Sequence, residues 1–186
     1  MATHLASPSA KGKRPRLMFQ DEARFGRMSR PRRCWAPPGV RPVMCNGYER
    51  EFTYVYAAVS PMEGEMEWRL TKKMNTEEMS GFLRQVSQRY PDDFILMVVD
   101  GASSHKAKAL ETPENIALIA LPGYSPQLNP QENVWDEVRE KNFPNRVFST
   151  METVITQLTA GMSNLCSQPA KLISLTAWSW IKSVFS

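Results

Sequence analysis

Histidine and cysteine are the scarcest chemistry in this chain, with two and three copies in 186 residues. Cys34, Cys45 and Cys166 are odd in number and widely spaced, with no C-x-x-C pair. Only His4 and His105 could join them, so neither a structural zinc site nor a disulfide framework is expected. Glycine is thin as well. Its nine copies are scattered and form no phosphate-binding loop, which removes the common nucleotide-binding fingerprints. No apolar run reaches the roughly 18 to 20 residues of a membrane span, and the opening MATHLASPSAKGKRPR has no signal-peptide core. A cytoplasmic chain with no membrane partner is therefore expected. Acid is missing before Asp21, and this accounts for most of the net charge of +4. Without Lys11, Lys13 and Arg14 the 23 basic residues fall to 20 against 19 acids. Global charge is thus no argument for a nucleic-acid partner.

Local charge is a better one. Arg24, Arg27, Arg30, Arg32, Arg33 and Arg41 fall in a window without Asp or Glu, interrupted by Trp35. Guanidinium forks match phosphate oxygens, so the segment from about 26 to 43 reads as a backbone-contacting loop; a solvated basic loop is the alternative. A hydrophobic share of 42%, with five Trp and eight Phe, supports one globular domain with a real core. Residues 1–14, small, polar and basic, read as a disordered leader before a domain at 15–186.

Two acids are placed by quite different local signals. The six apolar residues Phe94 to Val99 fit a strand buried on both faces. Asp100 then falls at its carboxyl end, where open α/β sheets form ligand crevices. In SPQLNPQENVWDEV, Asn129 is a good N-cap, Pro130 suits the first helical position and Glu132 the third. The first strand, led by RLMF, carries Asp21 and Glu22 near its end. Successive strand residues point to opposite faces, so only one of the pair can join a common site, and periodicity does not choose between them.

The rest of the chain supplies a frame. EFTYVYAAVS and EMEWRLT read as a hairpin, and residues 76–90 as an amphipathic helix through Met79, Phe82, Leu83 and Val86. GASSHKAKALE reads as a loop and short helix, IALIAL as a fifth strand, and 150–165 and 168–184 as two closing helices. A strand, helix and strand in that order imply a parallel right-handed crossover. The order β, β-hairpin, α, β, α, β, α brings strands one and four together in a mixed five-stranded α/β sheet. Three carboxylates converging there would be hard-oxygen ligands for Mg²⁺.

The segments FQDEARFG, WAPPGVRP, ILMVVDGASSHKA and LPGYSPQLNPQENVWDEV together resemble the DDE-superfamily transposases of the bacterial IS630 group, relatives of the Tc1/mariner elements. The likeness covers nearly everything after residue 15, and LPxYSPxLNPxExxW is its most specific part. The resemblance implies an RNase H-like fold and a nuclease and strand transferase using two Mg²⁺ ions, with Mn²⁺ substituting. Asp21, Asp100 and Glu132 would be its catalytic, metal-binding acids, which selects Asp21 over Glu22. It implies DNA as partner, both transposon ends and target, a homodimer on DNA, and a nucleoid-associated location.

Arg27, Arg30, Arg32, Arg33, Trp35 and Arg41 would then contact DNA or the partner subunit. Asn129 is an auxiliary residue; His105 either orients a phosphate or acid, or makes a local loop hydrogen bond. Two departures stand out: Gly101 follows the second acid where the family usually has Asn, and twenty residues before Asp21 are too few for a helix-turn-helix unit. The expectation is a catalytic portion alone, served by a separate helix-turn-helix polypeptide or joined to one by frameshifting. The alternatives are an inactive remnant that binds DNA or dimerises, and another RNase H-like nuclease.

Overall fold

Phe19 on the first strand and Val98 on the fourth face each other in register across a parallel strand pair, and the sheet is arranged around that pairing. The computed structural model describes residues 10–28, 33–43, 49–100, 109–123 and 125–183. Its elements are β1 (Arg14–Gly26), β2 (Phe52–Ser60), β3 (Glu65–Thr71), α1 (Thr76–Arg89), β4 (Asp93–Val99), β5 (Ile116–Ala120), α2 (Gln131–Asn142), α3 (Met151–Cys166), α4 (Pro169–Thr176) and α5 (Ser179–Ser183). The strands form one sheet in the order β3-β2-β1-β4-β5. β1 and β2, and β2 and β3, are antiparallel; β1 and β4, and β4 and β5, are parallel. This is the expected mixed five-stranded sheet with helices on both faces.

Strand alternation sorts the core into two layers. Leu17, Phe19, Ala23 and Phe25 of β1 pack with Leu96 and Val98 against α2, α3 and α4. Met18 packs with Tyr56, Met97 and Val99 on the opposite face, against Met79, Phe82, Leu83 and Val86 of α1. All seven residues of β4 are buried, as its unbroken apolar run requires. α1 begins where Asn75 accepts the Glu78 N–H on its side chain. The β2–β3 hairpin turns through Gly64 at φ +66°, where an added Cβ would lie 2.5 Å from the Pro169 carbonyl oxygen, so only glycine lets the turn rest on α4.

Two boundaries differ from expectation, and one expected element falls mostly outside the described residues. The leader does not extend to residue 14: Ala10 is buried and Arg14 already opens β1. Arg14 is held there by a bidentate pair with Asp93 at 3.0 and 2.9 Å, and Arg16 donates to the same carboxylate at 2.5 Å while lying over the Tyr90 ring. The single closing helix at 168–184 is two helices. α4 ends at Thr176, Ala177 leaves the helical region at φ −81°, ψ 69°, and the Trp178 indole N–H caps the Leu175 carbonyl at 3.1 Å. Trp178 and Trp180 cannot share one helical face; the break lets Trp178 join the core while Trp180 stays 42% exposed. Finally, the short helix expected after Asp100 falls mostly at 101–108, outside the described residues.

Candidate functional site

Asp21 lies on β1 two residues beyond Phe19, with the same side-chain parity, and so belongs to the face on which α2 packs. Asp100 directly follows β4, the strand that pairs in parallel with β1, and so lies just past the carboxyl end of the neighbouring strand. Glu22 belongs to the other face, where it helps burial push the Tyr56 hydroxyl up to about 12.

Glu132 comes from α2, which starts as the sequence suggested. Helical hydrogen bonding runs from Gln131, but Pro130 already has helical dihedrals of −66° and −13°. Asn129 is extended at −101° and 105°, and its Oδ1 accepts the Gln131 N–H at 3.1 Å, which is N-cap geometry. The same side chain donates through Nδ2 to the Gln20 carbonyl at 3.0 Å, tying the helix start to the residue before Asp21. Val134, Trp135 and Val138 press the helix onto the sheet, and Glu132 sits half-buried at the margin of that stripe.

The electrostatics of the three acids is dominated by Asp21. Burial, and then the neighbouring Glu132 carboxylate, push its pKa up to about 7; hydrogen bonds from the Trp135 indole and from the Glu22 backbone pull the other way. Trp135 Nε1 donates to Asp21 Oδ2 at 2.9 Å. Among the described residues, no three His, Cys, Asp or Glu side chains are near enough to hold a metal ion. The structure thus brings Asp21 and Glu132 into electrostatic contact and puts Asp100 on the next strand tip, without closing a three-carboxylate cage. The donor set nevertheless fits a divalent cation. It consists of hard oxygens only, and its two interacting carboxylates repel each other unless a cation lies between them.

The arginine-rich loop divides. Arg33, Trp35 and Arg41 are exposed, Trp35 at 104%. Arg30 and Arg32 lie outside the described residues, as do Gly101 and His105. Arg27, expected among the DNA contacts, has its side chain turned toward the body of the fold. It pairs with Glu49 and with Glu51 and donates to the Phe148 and Ser149 carbonyls at 3.1 and 2.5 Å. Its guanidinium is engaged by two carboxylates and two backbone carbonyls of the fold. Sequence reasoning also missed Trp135 as more than core. The available signal was that a buried indole N–H needs an acceptor, and that Trp135 follows Glu132 by one helical turn.

A separate open groove at the β3 edge is lined by Arg69, Lys72, Lys73, Glu77 and Glu78. Its charges are of both signs, and it contains none of the three acids.

Residues 16–155 match the family model described as DDE superfamily endonuclease. An uncharacterized protein of Sinorhizobium fredii (strain NBRC 101917 / NGR234), y4pE/y4sA, is 32% identical over 130 residues, covering 69% of this chain and 96% of its own length. Among solved structures, the Mos1 transposase paired-end complex with the left transposon end superposes with a TM-score of 0.57 at 15% identity, over 91% of this chain and 57% of that one. The Mos1 mariner paired end complex with Mn gives 0.58 at 17% identity, over 88% and 56%. The likeness is one of fold, the RNase H-like arrangement of a mixed five-stranded sheet flanked by helices. The chain spans a little over half the length of the Mos1 chains it matches. No helix among the described residues is long and apolar enough to cross a membrane.

Proposed function

Because the chain belongs to the DDE superfamily endonucleases, we propose that it is the catalytic domain of a Tc1/mariner-like transposase of the IS630 type, cutting DNA at element ends and joining them to target DNA. Asp21 and Asp100 bind the divalent cations, Mg²⁺ or Mn²⁺, that activate water or a DNA 3′-hydroxyl and stabilise the leaving oxygen. Glu132 completes the ligand set and orients the attacking hydroxyl. The observation that carries this reading is geometric: Trp135, one helical turn after Glu132 on α2, donates to Asp21 Oδ2 at 2.9 Å, so the helix bearing Glu132 is held against Asp21 on β1, and the raised Asp21 pKa agrees with that arrangement.

DNA backbone contacts fall to Arg33 and Arg41, joined by Arg30 and Arg32, with Trp35 meeting a base, a sugar or a second subunit. The exposure of Arg33, Trp35 and Arg41 supports this role. The test is cleavage of labelled duplex in Mg²⁺ or Mn²⁺. Asp100→Asn abolishes cleavage and leaves the circular dichroism spectrum unchanged; equal cleavage by that variant removes the triad assignment.

A second reading has its own support in the exposed Trp35, Val40 and Val43 of the same loop. In it the protein binds DNA or dimerises without cutting. Metal-independent binding with no cleavage in either ion would favour it.

A further inference from the structure

Trp135 and Asn129 bracket Glu132, one three residues after it and the other three before, and each reaches from α2 to β1. Asn129 is 3% exposed and Trp135 1%. The Trp135 ring also meets the Phe25 ring edge-on, with centroids 6.3 Å apart, so its position is fixed by packing as well as by the hydrogen bond. Asp21 is the acceptor at one end of this pair of contacts. The carbonyl of the residue before it is the acceptor at the other.

We propose that Asn129 and Trp135 form a two-point clamp setting Glu132 against Asp21, with the Trp135 indole N–H acting as positioning residue for the Asp21 carboxylate. The proposal rests on the metal-site reading above and assigns Trp135 a part in it. An N–H donor on Oδ2 stops rotation of the carboxylate and leaves Oδ1 and the remaining lone pairs for a cation. Outer contacts of this kind orient ligands in metal centres, and their loss typically weakens metal affinity or activity by about 10 to 100-fold. A core tryptophan satisfied by whichever acceptor lies nearest would have no such effect.

Trp135→Phe keeps the ring against Phe25 and removes only the donor. In Mn²⁺ titrations of the DNA-free protein it should weaken binding by about 10-fold or more, with the thermal midpoint falling by only a few degrees. A folded Trp135→Phe protein with unchanged Mn²⁺ affinity overturns the clamp. Where that variant does not fold, the unaltered protein supplies the measurement. The Trp135 indole cross-peak in a ¹H–¹⁵N spectrum should move upfield in Asp21→Asn and shift on adding Mg²⁺. An indole resonance indifferent to both overturns the proposal. If the unaltered protein binds no Mn²⁺, the metal-site reading falls and the clamp, which rests on it, falls with it; binding by the unaltered protein with unchanged affinity in folded Trp135→Phe overturns the clamp alone.

Discussion

Asp21 and Glu22 are neighbours in the chain and lie on opposite faces of the sheet. Asp21 shares its face with α2, and Glu22 faces the α1 side with Tyr56. A pair of acids that looks interchangeable in the sequence is therefore not interchangeable in space. Asp21→Asn should abolish metal-dependent cleavage, whereas Glu22→Gln should keep it within a few-fold. Matched loss in both variants, measured on the same duplex, would break the assignment.

The raised pKa of Asp21 makes the metal-free protein sensitive to pH. Folding raises this carboxyl from 3.8 to about 7, so between those values the folded state holds the proton more tightly than the unfolded chain. The stabilisation from the neutral form is complete below pH 3.8 and is lost as pH rises through about 7. The amount is on the order of 3 kcal/mol. Asp21→Asn keeps an acceptor for Trp135 and removes the charge. It should therefore raise the thermal midpoint of the metal-free protein at pH 8 and flatten its pH dependence; a midpoint lowered at pH 8 would contradict this.

Arginines of the same window should behave in two ways. Replacing Arg33 and Arg41 by Ala should weaken DNA binding equally across sequences and reduce the log–log salt slope by about 1 to 2. Arg27→Ala should leave that slope alone and cost about 1 to 3 kcal/mol of stability, because two backbone carbonyls and two carboxylates lose their donor. Salt-dependent binding isotherms and thermal melts together separate the two effects.

Gln131 and Gln20 are wholly buried, and neither side-chain amide has a hydrogen-bond partner among the described residues. An unmatched buried amide costs about 1 to 3 kcal/mol. Gln131→Met, close in volume, should raise the unfolding free energy by about 1 kcal/mol or more. A loss of stability in urea titration would show that the amide is needed where it is.

Much of this layout was legible from local pattern. The apolar run at 94–99 could only be a doubly covered strand, and Asn129-Pro130 announced the Glu132 helix because capping is a short-range event. The hairpin and α1 followed from period two and period 3.6. What escaped depended on distant partners. Arg27 looked free because its window holds no acid, yet Glu49 and Glu51 approach from beyond that window and the carbonyls of 148 and 149 from across the molecule. Local periodicity could not choose between Asp21 and Glu22, a choice only the resemblance made, and the helix break at Ala177 left no local signal in the sequence.

The anchoring of Arg27 fixes where the arginine-rich loop begins. Met28 bridges to Val147, and the Phe148 N–H donates to the Arg27 carbonyl while the Arg27 side chain holds the carbonyls of 148 and 149. The end of β1 and the segment that follows α2 are stitched together there, so the entry to the loop and the exit from the Glu132 helix are held as one unit.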